Sequence, residues 1–254
     1  MSENLLSVLF SATAFFYAIA GFGGGSTYNS LLVLGEFNYQ IVPVVALTCN
    51  LVVVSGGLVH FKRTGNLNLG AVLPFMVASI PAAHLGGRMP ISELWFVMIL
   101  GISLLASGFF LLHPKPAQQV IMRSNLQRWV VSLPAGFGLG LLSGLTGIGG
   151  GIFLAPLMYF LGWARPRVIA ASASLFIFVN SLSGLTGHIG KLQENFDVGV
   201  LLPYVGLPVA VLIGGQLGSI FGSRIVSEGL VRKVTGVLVV FVGVRIISTR
   251  LLMI

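Results

Sequence analysis

Two strings of glycine carry most of the chemistry open to this chain. Gly21-Phe22-Gly23-Gly24-Gly25 and Gly147-Ile148-Gly149-Gly150-Gly151 stand 126 residues apart in a sequence of 254. Glycine costs about 1 kcal/mol per position inside a helix, so each string is where a helical run is expected to break. A break exposes successive backbone N–H groups, and the helix that follows points its positive dipole end into the gap. That concavity suits an oxyanion and needs no buried cation. The candidate ligands are therefore the N–H groups around Gly23, Gly24, Gly25 and Ser26, and those around Gly149, Gly150, Gly151 and Ile152.

Other polar residues inside apolar runs have two readings each. Thr27, Tyr28 and Asn29 follow the first string, where they either hydrogen-bond the anion or cap the start of a half-helix. Asn50 and Asn180, with Thr48, Ser172 and Ser174 nearby, either line the site or hydrogen-bond between helices. His84 and Gln216 both precede a Leu-Gly pair and either contribute to a pathway or pack the bundle. His60 and His188 stand near the ends of apolar runs and read as interfacial anchors, although histidine is the side chain here whose ordinary pKa suits proton coupling. Arg88 and Arg224 read as snorkelling cations at opposite faces.

The six acidic residues Glu3, Glu36, Glu93, Glu194, Asp197 and Glu228 all lie at the margins of apolar runs. Carriers of cations and carboxylate proton pumps need an acid inside the membrane, so those classes lose their support. The single Cys49 leaves no intramolecular disulfide and no multi-cysteine metal site, and neither a metal nor a cofactor is expected.

The elements that must position these residues are membrane spans. The chain is 56% hydrophobic and 8% charged, against the roughly 25% charged residues of a soluble domain. Stretches without a charged residue cover 4–35, 37–61, 64–87, 94–114, 129–164, 168–190 and 198–223, each long enough to cross a bilayer. A barrel would need short alternating segments instead. The formal charge of +8 is carried by single or paired Lys and Arg at the ends of these stretches, which reads as membrane anchoring rather than nucleic-acid binding. Residues 1–4 carry no positive charge, so the first run is expected to be retained and not cleaved as a signal peptide.

The sequence repeats itself. Beyond the glycine strings, Gly56 and His60 fall on Gly184 and His188, and Pro74 falls on Pro203. Residues 82–86 fall on 214–218, and Ser92-Glu93, Gly101 and Gly108 fall on Ser227-Glu228, Gly236 and Gly243. The expected organisation is a first transmembrane repeat over 1–113, a connecting cytoplasmic loop over 114–128, and a second transmembrane repeat over 129–254.

Charge distribution tests the break. With each glycine-bearing run as one crossing, Lys and Arg divide evenly enough between the two sides to say nothing. With each run as two half-segments, Lys62, Arg63, Lys115, Arg123, Arg128, Arg165, Arg167, Arg224, Arg232 and Lys233 share one side, and Arg88, Lys191, Arg245 and Arg250 the other. That is a positive-inside bias. It places both termini on the non-cytoplasmic face and gives each repeat an odd count, so that the two are inverted. The fold class expected is thus all-α, a polytopic bundle of two inverted repeats, each a broken segment plus three full spans. The site lies where the breaks face each other, as in secondary transporters.

The stretch G-I-G-G-G-I-F-L-A-P-L at 147–157, with a second G-x-G-G-G core near the N-terminus, resembles the sulfite exporter TauE/SafE family of membrane permeases over nearly the whole chain. The resemblance implies movement of small sulfur-containing anions such as sulfite, sulfoacetate or other organosulfonates. One departure stands out: Ser30 occupies the position that Pro156 holds in the second copy, so the first cradle is expected to be more polar.

An enzyme is not expected. Ser143 and His188 do not form a G-x-S-G elbow, because Leu141 stands two before the serine. The reading is an inner-membrane permease for a small oxyanion working by alternating access, within the lipid bilayer. A passive anion channel with the same half-helix filter is the alternative. The glycines at 101 and 108 offer a face for packing a homodimer.

Overall fold

A computed structural model describes residues 3–19, 21–113, 124–192 and 204–222, together with 229, 233, 236, 237, 240, 241, 243–245, 247 and 248. Most of the connecting loop at 114–128 lies outside these residues, as do Pro203, Arg224, Ser227 and Glu228. The described residues are all-helical: α1 (Glu3–Ile19), α2 (Gly25–Leu34), α3 (Val42–Arg63), α4 (Leu69–Arg88), α5 (Glu93–Leu112), α6 (Asn125–Thr146), α7 (Gly151–Phe160), α8 (Pro166–Leu192) and α9 (Gly206–Gly222). Five of them, α3, α4, α5, α6 and α8, are long and apolar enough to cross a membrane.

Both glycine strings separate helices. The chain leaves α1 at Ile19 and re-enters helix at Gly25, and it leaves α6 at Thr146 and re-enters at Gly151. Gly24 and Gly150, the residues before α2 and α7, have φ of 93° and 78°. Left-handed backbone of this kind is strained for a residue with a Cβ, so glycine is required at both.

Each break turns the chain back. Trp163, just after α7, donates its indole N–H to Ala71 O at 3.0 Å at the start of α4. The Arg128 guanidinium, in the first turn of α6, lies 5.9 Å from the same ring. The end of α7 is therefore beside the beginning of α6, and α6–α7 is a hairpin with its tip at Gly147–Gly150. In the first half, Phe37, just after α2, packs on Tyr204 at the entry to α9, with centroids 5.6 Å apart.

Close glycine contacts fix helix directions. Gly136, Gly140 and Gly144 of α6 sit against the backbone of Phe75, Ser79 and Ala83 of α4, in ascending order on both, so α4 and α6 are parallel. Gly214 and Gly218 of α9 sit likewise against Ser11 and Phe15 of α1. The first helix of each half thus packs on the fourth helix of the other. By contrast, Gly184 late in α8 meets Leu47 early in α3, while Ser174 and Phe61 both meet Gly21, which makes α3 and α8 antiparallel. Gly101 faces Gly243 and Ile247, and Gly108 faces Gly236 and Val240, again in opposite order. The face that these glycines offer for packing a homodimer is therefore covered by the chain's own later residues. The reason is steric: glycine on both sides lets two backbones approach closely.

Candidate functional site

The tips of the two hairpins meet, and three hydrogen bonds cross between the halves there. Asn29 Nδ2 of α2 donates to Thr146 O at 2.7 Å, and Asn50 Nδ2 of α3 donates to Ile148 O at 2.9 Å. In the reverse sense, the Ser174 hydroxyl of α8 donates to Gly21 O. Asn29 and Asn50 are fully buried. Asn50 lies against Gly23, Gly25 and Gly149 at once: a Cβ built on Gly149 would stand 2.8 Å from Asn50 Nδ2, and one on Gly25 would stand 2.7 Å from Ile148 O. The glycines at these positions leave the room that the asparagine and the opposing backbone fill.

The helix starts are uncapped by side chains. Neither Gly24 nor Gly150 brings a side-chain hydrogen bond to the helix it opens. The N–H groups of Thr27 and Tyr28 reach Gly24 O, and those of Phe153 and Leu154 reach Gly150 O. Helix geometry leaves the preceding N–H groups, those of Gly25, Ser26, Gly151 and Ile152, without an intrahelical acceptor. They lie at the positive ends of two helix dipoles in a site where, among the described residues, no Asp, Glu, Lys or Arg is buried.

Of the hydroxyls after the first break, those of Ser26, Thr27 and Ser30 are hydrogen-bonded, whereas that of Tyr28 is buried without a partner. Tyr17 OH is 3.0 Å from Ser26 Oγ and 2.8 Å from Thr27 Oγ1, so the tyrosine hydroxyl bonds both of the others. The Ser30 hydroxyl donates to Ser26 O at 2.7 Å within its own helix. Ser30 itself therefore presents no unpaired hydroxyl proton to the first cradle, because a helical serine donates to the carbonyl four residues back. Tyr28 stacks on Phe10 with centroids 4.5 Å apart.

Asn180 is also fully buried and donates to Phe176 O of its own helix at 2.8 Å. His84 and Gln216 are not brought to the breaks. His84 Nδ1 is 3.0 Å from Thr186 Oγ1 on α8, and Gln216 lies against Gly56 on α3, equivalent crossings in the two halves. His188 differs from its reading as an interfacial anchor. It is buried, and its Nε2 donates to Gly144 O at 2.7 Å. The signal that could have located it is the pair Gly184 and Gly187 just before it, which lets α4 and α6 close over this turn of α8.

Among the described residues no group of three His, Cys, Asp or Glu side chains could hold a metal ion. The arrangement is two uncharged, N–H-rich helix starts brought together by asparagines across a pair of hairpins. The sequence model of the sulfite exporter TauE/SafE family matches residues 5–246. The chain belongs to that family. It is 30% identical to the probable membrane transporter protein y4hK of Sinorhizobium fredii, over 95% of this chain and 97% of that one. It is 24% identical to the probable membrane transporter protein YunE of Bacillus subtilis, over 97% of this chain and 98% of the other. No solved structure matches it. Family and relatives make this member of the TauE/SafE family a multi-pass membrane transporter.

Proposed function

We propose that the chain is a permease for a small oxyanion, sulfite or an organosulfonate, bound between the two glycine breaks and moved by alternating access. The observation that carries this reading is the meeting of two helix starts to which the preceding glycines bring no side-chain cap, with no buried carboxylate among the described residues. Donors held in a water-poor interior bind an anion strongly, and an uncharged site releases it more readily than a buried arginine would. The helix directions support two inverted repeats: α3 and its counterpart α8 are antiparallel, and so are α5 and the chain around 236–247. Inverted repeats meeting at broken helices are the frame of alternating-access carriers. The inner membrane, with both termini on its non-cytoplasmic side, is the proposed location.

The test is uptake into liposomes by the purified protein, with labelled sulfite and sulfoacetate against a neutral sugar and sodium. Saturable flux of the anions alone is the expected result. Flux that rises linearly with concentration would identify the channel, and no anion flux would overturn the reading.

A further inference from the structure

The two breaks are not equivalent. At the first, Tyr17 OH bonds both Ser26 and Thr27 and Ser30 bonds its own helix, while the Tyr28 hydroxyl, stacked with its ring on Phe10 and lying against Gly24, is buried without a partner. The second break has no such closure. Ser143, at the same offset of 126 residues from Tyr17 that relates the glycine strings, is fully buried and its hydroxyl has no hydrogen-bond partner. Ser181 of α8 is buried with an unpartnered hydroxyl as well.

A helical serine in an apolar environment has a ready acceptor in the carbonyl four residues back. Ser132 and Thr146 of α6 take it, at 2.5 and 2.6 Å. Ser143, between them on the same helix, does not. Both unpartnered serines stand at the glycines that open α7. A Cβ on Gly150 would lie 3.2 Å from Ser143 Cβ, and a Cβ on Gly149 would lie 2.9 Å from Ser181 Oγ. Two serines with unpartnered hydroxyls thus flank the start of a ten-residue helix, one beside each of the two glycines that precede it.

We infer that the oxyanion head of the substrate sits at the second break, with Ser143 and Ser181 as direct ligands donating to its oxygens beside the N–H groups of α7. The first break is the scaffold against which this seat is held, through Asn50 on Ile148 O and Asn29 on Thr146 O. The inference rests on the anion-permease reading and narrows it to a head group with several oxygens, pyramidal as in sulfite or tetrahedral as in a sulfonate, on a seat of hydroxyl and amide donors.

The experiment uses the full chain in liposomes, with labelled sulfite as the probe and Ser143→Ala, Ser181→Ala and Ser132→Ala as variants. A hydrogen bond to an anion is worth enough that each of the first two raises the half-saturation concentration about tenfold or more. Ser132→Ala, at the far end of α6, leaves it unchanged. A second readout separates ligand from scaffold. Removing a hydroxyl that has no partner leaves the melting temperature of the substrate-free protein unchanged or higher, whereas the rise that sulfite gives the wild type is reduced in both variants. Half-saturation within twofold of wild type in both variants overturns the inference, whatever their melting temperatures. Absence of sulfite flux in the wild type would instead overturn the permease reading on which it rests.

Discussion

Asn50 shows how a single residue joins the halves of this protein. Its amide nitrogen supplies a donor to Ile148 O from 98 positions away, at a point where the α6–α7 hairpin has no helix of its own. Replacing it by leucine leaves that buried carbonyl unpaired and is expected to cost about 1–3 kcal/mol, seen as a lowered melting temperature in detergent. Gly150→Leu acts differently. With φ at 78°, a side chain there is strained and meets Phe176 and Ser143. Transport is expected to fall below a tenth of wild type in vesicles, with membrane insertion, read by quantitative blotting, unchanged. Normal transport by this variant would remove the cradle from the mechanism. At this scale the glycine strings, Asn29 and Asn50 were legible in the sequence, because polar and flexible residues are conspicuous in an apolar run. The acceptors of the asparagines were not, since backbone carbonyls carry no residue signature. A difference between the two breaks was signalled by Ser30 against Pro156, but the reach of Tyr17 into the first of them was not.

Helices in this molecule approach one another through glycine. Gly140 faces the backbone of Ser79, where nothing can give way by rotating a side chain, whereas Gly138, two residues earlier on α6, faces open space. Gly140→Ala is therefore expected to destabilise by about 1–3 kcal/mol. Gly138→Ala is expected to stabilise by about 0.5–1 kcal/mol through helix propensity. Opposite shifts in melting temperature from identical substitutions on one helix would check the packing, and equal shifts would count against it. The lengths and apolar character of the spans were readable from charge-free stretches alone. Their partners were not: small residues announce a close approach without naming the helix that makes it. Gly101 and Gly108 illustrate the point, a face read for a second copy that the chain uses on itself.

For the molecule as a whole, the charge count and the helix contacts agree on one path. In the proposed topology, hairpins that return to the side they came from leave each half an odd number of full crossings, and the cations then divide ten against four. Alkaline phosphatase fused to either end is expected to be active, and the same reporter inserted beside Gly65, between α3 and α4, inactive. The reverse pattern would invert the proposed orientation. The proposed inversion is argued from the sequence through Lys and Arg, which mark the sides of a membrane. The crosswise docking of α1 on α9 and of α4 on α6 could not, because a repeat predicts that two halves are alike and says nothing about how they interlock.

That interlocking also sets a schedule for biosynthesis. Ser11 on α1 and its packing partner Gly214 on α9 are 203 positions apart. At the usual pace of translation, about 5–20 residues per second, α1 waits roughly 10–40 s in the bilayer before the helix it rests on has been made. During that interval its glycine-docking face, around Ser11 and Phe15, is open to lipid and to whatever insertion factor shelters it. A nascent chain arrested before residue 204 is thus an assembly intermediate with an unclaimed helix, and a separately synthesised second half has a ready-made surface on which to complete it.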